Sequence, residues 1–408
     1  METNKPTSFV GSKKFMLLVS LIGIFFISTG SSWAIFSFLK GEPAGLVTTS
    51  DGKRKIDPTL PKTEECPING KKFSKPEREI WESRRPIAAI IENHLDSRPQ
   101  SGISKADVVY EAVAEGGITR FLNVFYCGAS AEDVRIAPIR SVRVYFVDWA
   151  SEYSEYPIFV HSGGANNICN NCPGGVKSSG QVAREVDAFK LLENLGWRAT
   201  KSNAMDAGTN IGAPIVIRNQ FRLGTKAAWE HSFEGFTDKL YEEAEKRGFV
   251  YEDSEGNAWN EDFVSWKFAD DSPSGSPNAS EISFEFWSNK PDYDVSWKYE
   301  PSGNRYLRSN GAKEHMDYDA KEQLSAKNVV IQFVKEKGPV DKEGHMFYTT
   351  TGEGKALIFQ NGGLIEGTWE KEDRSSRTRF YDENSKEIIF VRGNIWIEEV
   401  PAGNEIKY

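Results

Sequence analysis

The stretch "YEAVAEGGITRFLNVFYC", Tyr110 to Cys127, sets two glycines between two runs of strand-forming residues. Glycine tolerates positive φ, so Gly116-Gly117 predicts a two-residue hairpin turn. With that turn Glu115 faces Ile118, Val113 faces Arg120 and Glu111 faces Leu122. Alternation then places Arg120 diagonally between Glu111 and Glu115 on one face, about 7–8 Å from each. The expected unit is a Glu–Arg–Glu cluster. Two glutamates four residues apart are about 13 Å apart along a strand. That exceeds the roughly 5–9.5 Å of glycosidase carboxyl pairs, and an intervening guanidinium keeps both ionised. The pair reads as an ion network rather than a self-contained acid and base.

Other polar residues fall where they can converge on this hairpin. "RPIAAIIEN" is a strand, and "ENHLDSRPQSG", its end and the loop after it, offers Glu92, Asn93, His94 and Arg98. "IRSVRVYFVDWASEY" follows Pro138 with helical spacing, so Arg140 and Arg143 are expected on one face of a helix start. Cations there oppose the helix dipole, which suggests a carboxylate or an anionic ligand nearby. "YPIFVH" ends a strand at His161, and the amides of Gly163-Gly164 offer an anion nest. The expected ligand-binding set is Arg98, Arg120, Arg140, Arg143 and His161. Glu111, Glu115 and His161 are the catalytic candidates, and whether there is catalysis stays open. No nucleophile elbow, phosphate loop or HExxH pattern occurs.

The chain has 408 residues, 39% of them hydrophobic, enough for two folded domains. Residues 15–39 carry no charge and are long enough to span a bilayer, and Lys13 and Lys14 favour a cytoplasmic N-terminus. A cleaved signal peptide is the alternative. The expected layout is a cytoplasmic segment (1–14), a transmembrane anchor (15–39), and a linker with a short helix (40–84). An α+β domain (85–269), a second linker (270–280) and a β-rich domain (281–408) follow. "SKPEREIWESR", "REVDAFKLLENLGW" and "FTDKLYEEAEKRGF" supply helices. From "ISFEFWS" to "NIWIEEV" short alternating runs predict a mainly antiparallel sheet or barrel, with Trp287, Trp297, Trp369 and Trp396 on strands as core.

Without its first 40 residues the chain holds 46 basic and 58 acidic groups, a net charge of −12. Such a body repels nucleic acid, and no nucleic-acid partner is expected. Cys66, Cys127, Cys169 and Cys172 all follow the apolar run, so disulfides are expected in an oxidising compartment. A local bridge within "CNNC" would leave Cys66 to pair with Cys127. Zinc held by His161, Cys169 and Cys172 is the competing reading, but it lacks a fourth ligand, so no metal or other cofactor is expected.

"RPIAAIIENHLDSRPQSGISKADVVYEAVAEGGITRFLNVFY", "APIRSVRVYFVDWASEY" and "FVHSGGA" closely resemble the YerB-like family of bacterial cell-envelope proteins. "NVVIQFV", "GEGKALIFQNGGLIEGTW" and "IIFVRGNIWIEEVP" resemble that family's C-terminal domain. The resemblance covers nearly everything from Arg85 onward. It implies a two-domain envelope protein whose domains have no assigned function and no established catalytic residues. Better-known members are lipoproteins. This sequence has no lipobox cysteine, so a helical anchor is expected instead. The expected role is a single-pass, extracytoplasmic binding or accessory protein. Its partner would be an anionic cell-wall glycan, a peptide or another envelope protein. An envelope hydrolase or transferase using Glu111 or Glu115 with His161 is the alternative.

Overall fold

The computed structural model describes residues 17, 20, 21, 46–48, 54–130, 132–169, 177–178, 181–253 and 255–408. The expected anchor at 15–39 thus lies almost wholly outside the described residues. No helix among those described is long and apolar enough to cross a membrane. The chain divides into two units, Met1–Leu46 and Val47–Tyr408, and the second holds the central sheet and its helices.

An eleven-stranded sheet organises this unit. Its strands, with three of those of the sheet that covers it, are β1 (Ile87–Glu92), β2 (Val108–Glu115), β3 (Ile118–Phe125), β4 (Ile158–His161), β5 (Ala204–Asp206), β6 (Glu281–Phe284) and β7 (Val295–Glu300). They continue as β8 (Arg305–Asn310), β9 (Asn328–Lys337), β10 (Phe347–Thr349), β11 (Gly352–Gln360), β12 (Gly363–Lys371), β13 (Arg379–Asp382) and β14 (Ile395–Pro401). The central order is β5-β4-β1-β3-β2-β14-β9-β11-β12-β13, with β10 beside β9. A fold of few helices and large sheets results.

The halves of the chain therefore share one sheet. The last strand, β14, lies parallel to β2 on one side and to β9 on the other. A strand with neighbours on both edges and both faces covered reads as an almost unbroken buried run. That is so for "IAAIIE" in β1 and for "IWIEEVP" in β14, where even Glu398 and Glu399 are buried. One face is covered by the five-stranded sheet containing β6–β8, where Trp297 meets Trp396 edge-on at 5.2 Å. Trp297, Trp369 and Trp396 are core as expected. Trp287 lies past the end of β6 and is half-buried, not on a strand.

The helices follow their sequence signals with one exception. α1 (Lys75–Trp81) starts at Ser74, whose N–H donates to Glu77 at 2.6 Å. α3 (Ala188–Asn194) is capped by Asp187, and α4 (Thr237–Arg247) ends at Gly248 with φ +85°. α2, expected to begin beside Ile139, spans Val144–Ala150. Residues 139–142 are instead extended: Ile139 bridges Ile91, and Val142 bridges Gly164. Arg143 is the residue before the first helical turn, and Arg140 is outside the helix, so the two do not share a helical face.

A disulfide joins Cys66, ahead of α1, to Cys127, just past β3. Cys172 lies outside the described residues.

Candidate functional site

The hairpin forms where expected, with φ of +56° at Gly116 and +80° at Gly117 between Glu115 and Ile118. Its register differs from the expected one. A bulge between Val113 and Glu115 pairs Val113 with Thr119, Ala112 with Arg120 and Glu111 with Phe121. Around the bulge, the Val113 carbonyl accepts the Tyr145 hydroxyl at 2.7 Å, and Glu115 bridges to His345. One extra residue turns every preceding side chain of β2 to the other face. Glu111 and Arg120 thus point to opposite sides, and the Glu–Arg–Glu cluster does not form.

On one face Glu115 lies between two arginines. It accepts from Arg120 and from Arg143, whose Nη2 is at 2.5 Å. Arg120 also donates to the Ser141 carbonyl at 3.2 Å and Arg143 to that of Val142 at 2.8 Å. Burial alone would raise the Glu115 pKa, but the two guanidiniums outweigh it and hold the carboxyl at about 2. Next to Arg120 in register is Glu92. It takes Arg140 Nε at 2.9 Å and His231 Nδ1 at 2.6 Å. His231 stacks on His94 with centroids 4.7 Å apart, and its hydrogen bond to Glu92 raises its pKa. Charges of opposite sign therefore alternate along this side: Arg143, Glu115, Arg120, Glu92, then Arg140 with His231.

On the opposite face Glu111 is fully buried, with Arg308 Nη2 at 2.5 Å and the Thr119 hydroxyl at 2.6 Å. Arg308 lies 4.8 Å from the Trp396 ring centroid and its Nη1 meets His315 Nδ1 at 2.5 Å. His315 Nε2 reaches Gln100 Oε1 at 2.8 Å. An amide oxygen only accepts, so Nε2 carries the proton and Nδ1 accepts from Arg308. Burial first and Arg308 second drive the His315 pKa far down, keeping the ring neutral.

The remaining expected residues are also committed within the fold. Arg98 donates to the Asn93 carbonyl at 3.0 Å and to that of Asp292 at 2.8 Å, and burial lowers its pKa to about 10. His161 is buried, bonded through Nδ1 to the Gly163 carbonyl at 2.9 Å, and burial lowers its pKa. The glycine nest holds an internal anion: Gly163 N–H donates to Asp206 at 2.9 Å, as does Gly208 N–H at 2.8 Å. The structure brings Arg120 and Arg143 together on Glu115, with Arg140 one carboxylate further along. Arg98 and His161 sit apart from them. None of the five lines the cavities of about 680, 470 and 580 Å³ on the molecule.

Sequence reasoning missed Arg308, His231 and a second buried group, Glu152 with Lys371 at 3.0 Å and Arg377 at 3.2 Å. The paired glutamates inside the otherwise apolar "NIWIEEV" were the available signal, because a charge in a buried run requires a partner.

A family model described as the N-terminal domain of a protein of unknown function, DUF3048, matches residues 74–213. The C-terminal domain of the same family matches residues 282–397. The chain belongs to this YerB-like family. YerB of Bacillus subtilis (strain 168), described as a lipoprotein, is 28% identical over 345 residues, 84% of this chain and 88% of its own length. A crystal structure of YerB from Bacillus subtilis superposes with a TM-score of 0.64 at 25% identity, covering 85% of this chain and all of that one. Both YerB-like domains contribute strands to the single central sheet, and they meet at β2 and β14.

Proposed function

We infer that this chain is a membrane-anchored extracytoplasmic binding or accessory protein of the bacterial cell envelope. The observation that carries this reading is the state of the three acid/base candidates. Glu111 is sealed against Arg308, Glu115 is held ionised by two arginines, and His161 is buried and neutral. A general acid or base needs a pKa near the working pH and access to a substrate proton. None of the three has both. This weighs against the hydrolase or transferase alternative, and in this reading the arginines serve as internal supports.

The relative's description as a lipoprotein supports attachment outside the cytoplasm. In this reading the uncharged run 15–39 is the anchor, with the N-terminus cytoplasmic. The ligand in this reading is an anionic wall component or an envelope partner.

Incubating the full-length chain with purified cell-wall fragments tests the reading. Retention on the fragments without released product is expected. Product formation that Glu115→Gln abolishes would contradict it.

A further inference from the structure

A cavity of about 580 Å³ opens between the residues flanking α1 and the turn that links β7 to β8. Seven lysines and arginines line it against four carboxylates, in a chain whose net charge is −9. Two of the cations are neutralised within the wall, Lys62 by Glu77 at 2.6 Å and Lys105 by Glu132 at 2.5 Å. Others reach outward to carboxylates that are not part of the wall. Arg305 pairs with Glu300 at 2.7 Å, Lys327 with Asp271 at 2.9 Å, Arg392 with Glu65 at 2.6 Å and Asp270 at 2.8 Å, and Lys72 with Asp270 at 3.9 Å. Asp270 and Asp271 are largely exposed, at 77% and 50%. Exposed pairs contribute little, so a ligand anion exchanges with them at little cost.

Two groups in the wall strengthen the case. Lys71 has no ion pair among the described residues and lies 5.4 Å from the Phe73 ring centroid. Ser104 also lines the cavity, and its buried hydroxyl has no hydrogen-bond partner among the described residues. The most buried carboxyl there, Asp107, is committed inward. It accepts from Asn69 Nδ2 at 2.7 Å and Tyr126 N–H at 2.8 Å. The cations come from several separate chain segments contributed by both halves of the molecule, and the volume exceeds that of one small ion. A concave wall in which lysines and arginines outnumber carboxylates offers an anion several cations at once, even on a protein of negative net charge.

We propose that this cavity, rather than the Arg120–Arg143 cluster, binds an oligomeric anion whose repeating unit carries phosphate or carboxylate. This deepens the envelope-binding reading and rests on it.

Calorimetric titration of the full-length chain tests it, with a glycerol-phosphate hexamer, an oligogalacturonate hexamer and neutral maltohexaose as probes. At least one anionic probe binds, the neutral probe does not, and affinity falls as salt is raised. The phosphate and galacturonate arms separate the two sources of charge. Lys71→Glu with Arg305→Glu weakens binding by about tenfold or more. Lys327→Gln, a milder change, weakens it in the same direction, and exposed Lys190→Glu leaves it unchanged. Binding of neither anion, or binding undiminished in both cavity variants, overturns the proposal. Retention on wall fragments that survives both variants overturns the cavity assignment alone. A wild-type chain that is not retained overturns the binding reading itself.

Discussion

Glu111 of β2 and Glu398 of β14 lie side by side in parallel strands, both fully buried, and share the guanidinium of Arg308. Arg308 Nε is 3.7 Å from Glu398 and its Nη2 is 2.5 Å from Glu111. Burial first, and the Glu111 charge second, push the Glu398 carboxyl far above the usual carboxylate range. The cluster sits at the line where the two family domains join.

Removing only Arg308 leaves Glu111 and Glu398 buried without the cation they share. Arg308→Ala should destabilise the protein by about 3–5 kcal/mol. Combined Arg308→Met and Glu111→Gln should recover most of that loss, because no charge then remains buried alone. Chemical denaturation of the two variants measures the difference, and equal losses would contradict the shared-charge arrangement.

Glu115 gives a pH signature. Its folded pKa of about 2 is below the ordinary 4.5, so its stabilisation is fully present above pH 4.5 and lost as pH falls toward 2. The shift corresponds to about 3 kcal/mol. The melting temperature of the wild type should exceed that of Glu115→Gln near neutrality. The gap should close as acid protonates the wild-type carboxyl. A gap independent of pH would show that Glu115 acts by packing alone.

The hairpin tip is placed by close approach. A Cβ on Gly117 would come within 2.7 Å of Lys290 Cγ and 3.0 Å of Trp287 Cγ, whereas one on Gly116 meets nothing within 4 Å. Gly116→Ala should cost only the strain of a positive φ, about 1–2 kcal/mol. Gly117→Ala adds overpacking of about 1–3 kcal/mol. Thermal melts of the pair should rank in that order.

The disulfide between Cys66 and Cys127 closes 61 residues, a constraint on the unfolded chain of about 4 kcal/mol. Both sulfurs are buried. Replacing both cysteines with serine should lower the melting temperature by about 5 °C. An unchanged melt would mean the first segment is held by packing only.

Local signals were the legible part of this molecule. Gly116-Gly117 located the hairpin, Ser74 and Gly248 bounded helices, and alternation exposed the strands of the C-terminal half. Long-range geometry was not legible. The bulge at Ala114 turned Glu111 away from Arg120, and no residue type in "EAVAE" distinguishes a bulged strand from a regular one. The helix after Pro138 starts later than its spacing suggests because Ile139 and Val142 are taken up by neighbouring strands. Arg308 reads as an exposed position of an alternating strand, "RYLRS", and becomes buried only when that strand's sheet covers the central one. The pairing of β2 with β14 joins segments from opposite ends of the folded unit, and nothing local in either announces the other.

The most direct test of the central claim, that these polar residues clasp the two family domains into one folding unit, is scanning calorimetry of the full-length chain. Residues 47–408 should unfold in a single transition whose calorimetric and van't Hoff enthalpies agree. Two separate transitions, one for each family domain, would contradict it.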